Sequence, residues 1–103
     1  MRSFKHPTVK DMTLDGVLHA LSDPARLAFV RNLHPGCPKT CGELAHGPLH
    51  TLAPSTTNHH LRILREAGLV VSERDGVKVN NRLRAEEIEK RFPGLLHAVL
   101  SQK

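Results

Sequence analysis

Residues 53–69, Ala-Pro-Ser-Thr-Thr-Asn-His-His-Leu-Arg-Ile-Leu-Arg-Glu-Ala-Gly-Leu, carry the spacing of one helix whose two faces have opposite chemistry. Pro54 brings the preset φ of a first helical position. Thr57, His60, Leu61, Leu64 and Ala67 recur at three- and four-residue intervals as a stripe that must face a core. The other face carries Ser55, Thr56, Asn58, His59 and Arg62. Short hydrogen-bonding side chains in the first turn and a half, followed by a cation, are what a helix needs if its N-terminal end enters a major groove. Gly68 ends the helix as a left-handed cap. His59 and His60 point about 100° apart on such a helix, so they take separate roles. His59 falls on the polar face toward DNA, and His60 falls beside Thr57 and Leu64 as a buried hydrogen-bonding histidine.

The residues after the helix read as a hairpin. Val70, Val71 and Ser72 form a strand, Asp75-Gly76 is a two-residue turn signal, and Val77, Val79 and Asn81 alternate on the return. A hairpin behind a recognition helix is a wing, and Arg74 and Lys78 flank its tip, where a cation meets a phosphate or the minor groove.

Three helices are expected upstream. Thr13 caps one whose apolar residues are Leu14, Val17, Leu18 and Leu21, and Asp23-Pro24 opens the next as N-cap and first helical residue. That second helix carries Leu27, Val30 and Leu33 with Ala28 and Phe29, and stops at His34-Pro35-Gly36. Arg26 is open to two roles, a snorkelling core-edge residue or a phosphate contact. A short helix from Gly42 to His46 turns Leu44 and Ala45 inward before Gly47-Pro48 breaks it. A third helix followed by a turn and a polar-faced fourth is a helix-turn-helix. Beyond the wing, Ala85 to Arg91 reads as a charged helix, Phe92-Pro93-Gly94 interrupts it, and a last helix bears Leu95, Leu96, Val99 and Leu100. A chain this small hardly buries that stripe alone, which implies a partner subunit; packing on its own first helix is the alternative.

The fold class expected is therefore mainly α with a small β-hairpin wing. Residues 1–11, with Arg2, Lys5 and Lys10, are expected as a flexible basic tail, and 12–103 as the DNA-binding and dimerisation domain. With 15 Lys and Arg against 10 Asp and Glu, the net charge of +5 favours a polyanionic partner, here double-stranded DNA. No apolar run spans a bilayer and the first ten residues are too polar for a signal peptide, so a cytoplasmic protein without membrane contact is expected. No Gly-rich phosphate loop and no nucleophile, base and orienter set are present, which argues against an enzyme, and no cofactor is implied. The remaining alternative is a winged-helix interaction module without DNA binding, and the intact polar face at Ser55, Thr56, Asn58 and His59 weighs against it.

With these residues in hand the chain resembles the ArsR/SmtB family of bacterial winged-helix repressors, from about Leu14 to Leu100. The resemblance is carried by Leu21-Ser22-Asp23-Pro24-Ala25-Arg26-Leu27, by Glu43-Leu44-Ala45, and by Ser55-Thr56 with the run His59 to Leu69. It implies a homodimer joined through the first and last helices, which binds an imperfect palindrome and represses transcription until a signal releases it. Four departures stand out. Thr40-Cys41-Gly42 occupies the place of the family's metal-binding Cys-x-Cys pair. His97 stands without the Asp, His and Glu companions of a zinc site in the last helix. The turn between Ala45 and Leu52 is longer than usual, and Asn80 and Asn81 replace wing aromatics.

Cys37, Cys41, His46 and His50, at spacings of four, five and four, are of the types that hold zinc or copper, but the spacing matches no standard finger. The ordinary reading is surface histidines in a turn and two reduced thiols, so no metal is expected. A Cys37–Cys41 disulfide, acting as a redox switch, is the sensing mode that the missing metal ligands leave open.

Overall fold

The computed structural model describes residues 4–34, 36–47 and 50–102. Arg2, Pro35 and Pro48, named above, lie outside them. Among the described residues six α-helices occur in chain order, α1 (Leu14–Leu21), α2 (Pro24–Leu33), α3 (Cys41–Ala45), α4 (Pro54–Ala67), α5 (Ala85–Arg91) and α6 (Leu95–Leu100). The strands are β1 (Lys39–Thr40), β2 (His46–Gly47), β3 (His50–Thr51), β4 (Val70–Asp75) and β5 (Lys78–Leu83). The mainly α fold with a β-hairpin wing is as the residues indicate.

The helix starts follow from capping chemistry. Thr13 Oγ1 accepts from the Gly16 amide, and Asp23 Oδ2 accepts from the Ala25 and Arg26 amides at 2.9 and 3.1 Å, with Pro24 in the first helical position. Each such cap is worth about 1 kcal/mol. α3 carries a full capping box: Thr40 Oγ1 accepts from the Glu43 amide while Glu43 Oε1 accepts from the Thr40 amide. The pattern Thr40-x-x-Glu43 was legible in the sequence, and it starts α3 at Cys41, one residue before the expected Gly42.

The core is one cluster. Val17, Ala20 and Leu21 from α1, Phe29, Val30 and Leu33 from α2, and Leu44 from α3 meet Leu61 and Leu64 from α4, while Leu69, Val70, Leu83, Ile88 and Leu96 close it from the wing side. The expected α1 stripe divides here. Val17 and Leu21 are buried with Ala20, whereas Leu14 and Leu18 remain 49 % and 47 % exposed. Leu96, expected on an interface stripe, is only 7 % exposed within the single chain, because α6 folds back on α5.

The wing is the pair β4–β5, in register from Val70 opposite Leu83 to Asp75 opposite Lys78. The central turn residues are therefore Gly76 and Val77, one place beyond the expected Asp75-Gly76. Gly76 takes φ 65° while no described non-glycine has positive φ, the geometry of a type II′ turn. β5 also pairs with the short β1, giving the order β1-β5-β4 and leaving β4 at the edge. β1 leaves no alternating pattern in a two-residue stretch and was not foreseen.

Residues 4–11, expected as a free tail, are instead docked on the domain. An edge strand leaves outward-facing amides unpaired, and His6 Nε2 accepts from the Ser72 amide of β4 at 3.0 Å. Arg84, almost fully buried, donates through Nη1 to Pro7 O at 2.8 Å. Val9 to Asp11 form a 3-10 turn, and Met12 enters the core.

Arg26 resolves as a structural residue. Its guanidinium donates to Ala20 O at 2.8 Å, to His19 O at 3.3 Å and to His60 Nδ1 at 3.3 Å, tying the end of α1 and the start of α2 to α4. Arginine can only donate, so His60 Nδ1 must be unprotonated. Burial lowers the His60 pKa below 6.5; Asp23 opposes this, and Arg26 adds to it. The 3.9 Å approach of His60 Nδ1 to Asp23 Oδ2 is accordingly no ion pair at neutral pH. Asp23 feels burial pushing its carboxyl up, but the Arg26 and Ala25 amides outweigh that and hold it below its ordinary value.

Two outcomes test this packing. Gly68 has φ 91°, and a Cβ built there would stand 2.7 Å from Met12 Cγ. Gly68→Ala combines left-handed strain with overpacking and is expected to lower stability by about 2 to 4 kcal/mol, read by denaturant titration. The second outcome concerns pH. A histidine whose native pKa is lowered binds fewer protons folded than unfolded, so its stabilising state is fully present above 6.5 and is lost as the pH falls toward the native value. Thermal midpoints should fall between about pH 8 and about pH 5. The fall should be shallower in His60→Gln, with His6, lowered first by burial and then by Arg84 and Arg65, supplying the remainder.

Candidate nucleic-acid interface

α4 turns about 100° per residue, which sets its buried and open faces back to back. Thr57, Leu61 and Leu64 are buried, and His60 is nearly so. Ser55, Thr56, Asn58, His59 and Arg62 are all exposed, so the structure brings the five sequence-nominated residues of this helix onto open surface. The N-cap is Ala53, whose side chain cannot cap, and the buried Thr57 hydroxyl is spent on Ala53 O at 3.1 Å. The first-turn amides of α4 therefore lack side-chain acceptors and present the positive end of the helix dipole to whatever lies in front of it.

The long turn before α4 carries a bud, the strand pair β2–β3, with His46 opposite Thr51 and Gly47 opposite His50. Below the bud the Leu52 amide donates to Ala45 O at 2.9 Å, closing the helix-turn-helix at its base. The bud is anchored inward by His50, whose ring lies 5.9 Å from that of Phe29.

Arg74 and Lys78 are exposed near the wing tip, on opposite strands, where Arg74 faces Val79 and Lys78 faces Asp75. Val77, at the turn itself, is 99 % exposed. Behind this tip the wing is fastened to α4 by a buried polar chain. Arg65 Nη1 donates to Ser72 Oγ at 3.1 Å, Ser72 Oγ donates to Asn81 Oδ1 at 2.6 Å, and Asn81 Nδ2 donates to Lys39 O at 3.1 Å. Asn81 is fully buried, so its place in a strand that otherwise alternates has a reason: every polar atom is partnered. Arg65, Ser72, Asn81, Phe4 and His6 were missed by sequence reasoning. An Asn-Asn pair in a core-facing register was the only signal for any of them.

The Cys and His constellation does not assemble. Cys37 is exposed in the loop before β1, Cys41 opens α3 with Sγ 3.5 Å from Asn81 Nδ2, His46 is exposed on the bud, and His50 lies tilted against Phe29. Among the described residues no three His, Cys, Asp or Glu side chains come together as a metal site, and both thiols are free. Among the same residues no helix is long and apolar enough to cross a membrane.

Comparison with known proteins agrees with this geometry. A family described as a helix-turn-helix domain matches residues 21–73, from the end of α1 into the wing. The uncharacterised HTH-type transcriptional regulator YceK of Bacillus subtilis is 33% identical over 84 residues, covering 81% of this chain and 82% of that one. Among solved structures, an ArsR family transcriptional regulator shares the fold at a TM-score of 0.66 with 23% identity, covering 87% of this chain and 98% of the other. The transcriptional repressor BigR of Xylella fastidiosa superposes at 0.63 with 26% identity over 87% of this chain and 88% of its own. An open-faced α4, a closed helix-turn-helix base and a cation-bearing wing, found together with these likenesses, make this chain a member of the helix-turn-helix transcriptional regulators, with the fold of an ArsR family regulator, and not an enzyme.

Proposed function

We propose that this protein is a homodimeric repressor that reads a palindromic operator with α4. The observation that carries the reading is the division of α4: Leu61 and Leu64 are wholly buried, while Ser55, Thr56, Asn58, His59 and Arg62 stand free on the opposite side. In this reading Ser55, Thr56, Asn58 and His59 meet base edges, Arg62 and the uncapped amides of α4 meet phosphates, and Arg74 and Lys78 hold the flanking backbone. The repressor BigR, whose fold this chain shares, supports the sign of regulation.

Dimerisation follows from what α1 leaves uncovered. Leu14 and Leu18, four residues apart on one side of α1, are the largest apolar side chains exposed on any described helix. Leu95, Val99 and Leu100 of α6 are only partly buried. A second copy would cover these residues, and a two-fold pair of recognition helices suits a palindrome. For sensing, we favour thiol oxidation over a metal, because Cys41 lies against the buried Asn81 that fastens the wing and the potential ligands are dispersed.

Two measurements test the reading. Ser55→Ala, Thr56→Ala and His59→Ala should each weaken operator binding by about 1 to 3 kcal/mol with the thermal midpoint unchanged. Leu64→Ala, by contrast, should cost about 2 to 5 kcal/mol of stability. Loss of stability in the three polar variants would show the faces to be reversed. Replacing Leu14 and Leu18 together by Glu should give a folded monomer with much weaker, less salt-dependent DNA binding, since half the phosphate contacts are forfeited. Sedimentation of that variant as an unchanged dimer would refute the interface.

A further inference from the structure

The docked N-terminal arm joins two parts of the interface that no other described segment joins in the same way. The Phe4 ring has the Arg65 guanidinium 4.5 Å from its centroid and the Arg74 guanidinium 5.4 Å from it. Arg65 belongs to the last turn of α4, and Arg74 to the exposed end of the wing. Two guanidinium groups on one aromatic ring would repel each other in the open, and the electron-rich ring offsets that repulsion while restricting both side chains. Two residues on, His6 Nε2 takes the edge amide of Ser72, whose hydroxyl lies between Arg65 and Asn81. Pro7 O then takes Arg84 Nη1 where β5 passes into α5. Three successive attachments thus cross from the recognition helix to β4 and to the residue that follows β5.

We propose that the arm is a positioning element for the wing, with Phe4 and His6 holding Arg74 and strand β4 in one orientation relative to α4, so that wing contact with DNA depends on Phe4 and His6. The inference rests on the DNA-binding reading given above. Phe4 has no base-reading part in it; it acts through Arg74. His6 is the releasable attachment, because an imidazole protonated on both nitrogens cannot accept the Ser72 amide. The groups facing it are Arg84, Arg65 and Arg82, which disfavour its charge, and Glu73, which favours it. Acid therefore detaches the arm at His6.

The test is a double-variant cycle on the full chain, with a mixed-sequence DNA duplex as the probe and salt as the variable. Arg74→Gln should reduce the slope of log affinity against log salt by about one per subunit. Phe4→Ala should remove part of that same slope in the native background and nothing further in Arg74→Gln. A native slope in Phe4→Ala, or an equal extra loss in both backgrounds, overturns the positioning role while leaving DNA binding itself intact. A chain that binds no duplex at any salt overturns the DNA reading and this inference together. Amide exchange of the free protein checks the attachment directly. Ser72 should be protected at neutral pH, lose protection in mild acid, and keep it there in His6→Gln; rapid exchange of Ser72 at neutral pH would overturn the docking.

Discussion

Burial of Leu61 and Leu64 on one side of α4 is the constraint from which the rest of the molecule follows. These two side chains, with Thr57, are the meeting point of α1, α2 and α3, each of which packs on α4. A helix pinned along one stripe has its rotation fixed, and so its opposite stripe is fixed in the open. Five polar side chains then project together without any side chain having been placed for its own sake. The same rotation leaves the N-terminal amides of α4 uncapped, because Ala53 cannot serve them and Thr57 is turned inward.

Two buried polar networks lock the elements around that helix. Arg26 spans His19, Ala20 and His60, so the α1–α2 corner cannot move without stripping a buried guanidinium of its acceptors. Arg65, Ser72 and Asn81 do the corresponding work between α4 and the wing. Among the described residues no buried side-chain nitrogen or oxygen lacks a partner, and a fully satisfied network specifies one arrangement because every alternative leaves a polar atom orphaned in low dielectric. Behind its tip the wing is thereby held against the last turns of α4.

The long connection into α4 shows how a local irregularity is absorbed. The turn between Ala45 and Leu52 is longer than usual for its family, and within it His46-Gly47 pairs with His50-Thr51 as β2 and β3 while the Ala45–Leu52 hydrogen bond keeps the base closed. The same bud carries His46 and His50 apart, one into solvent and one onto Phe29. Regular spacing of Cys and His along a chain becomes a ligand set only when the fold converges those side chains, and here it spreads them.

The sequence by itself determined the elements that rest on short-range chemistry: the Asp23-Pro24 helix start, the two faces of α4, the Gly68 stop, and the existence of a hairpin with Arg74 and Lys78 near its tip. These depend on periodicity and on backbone preferences confined to a few neighbouring residues, which is why they can be read in one dimension. Only the tertiary structure decided which apolar residues the chain covers for itself, burying Leu96 and leaving Leu14 and Leu18 open, because coverage depends on what lies across from a helix face. It also decided that Arg26 ties helices together and that Phe4 and His6 dock on the wing. Those contacts join residues separated by 34 positions for Arg26 and His60 and by 66 for His6 and Ser72. A buried donor or an open strand edge takes whichever acceptor the fold brings within reach, and no local pattern records that choice.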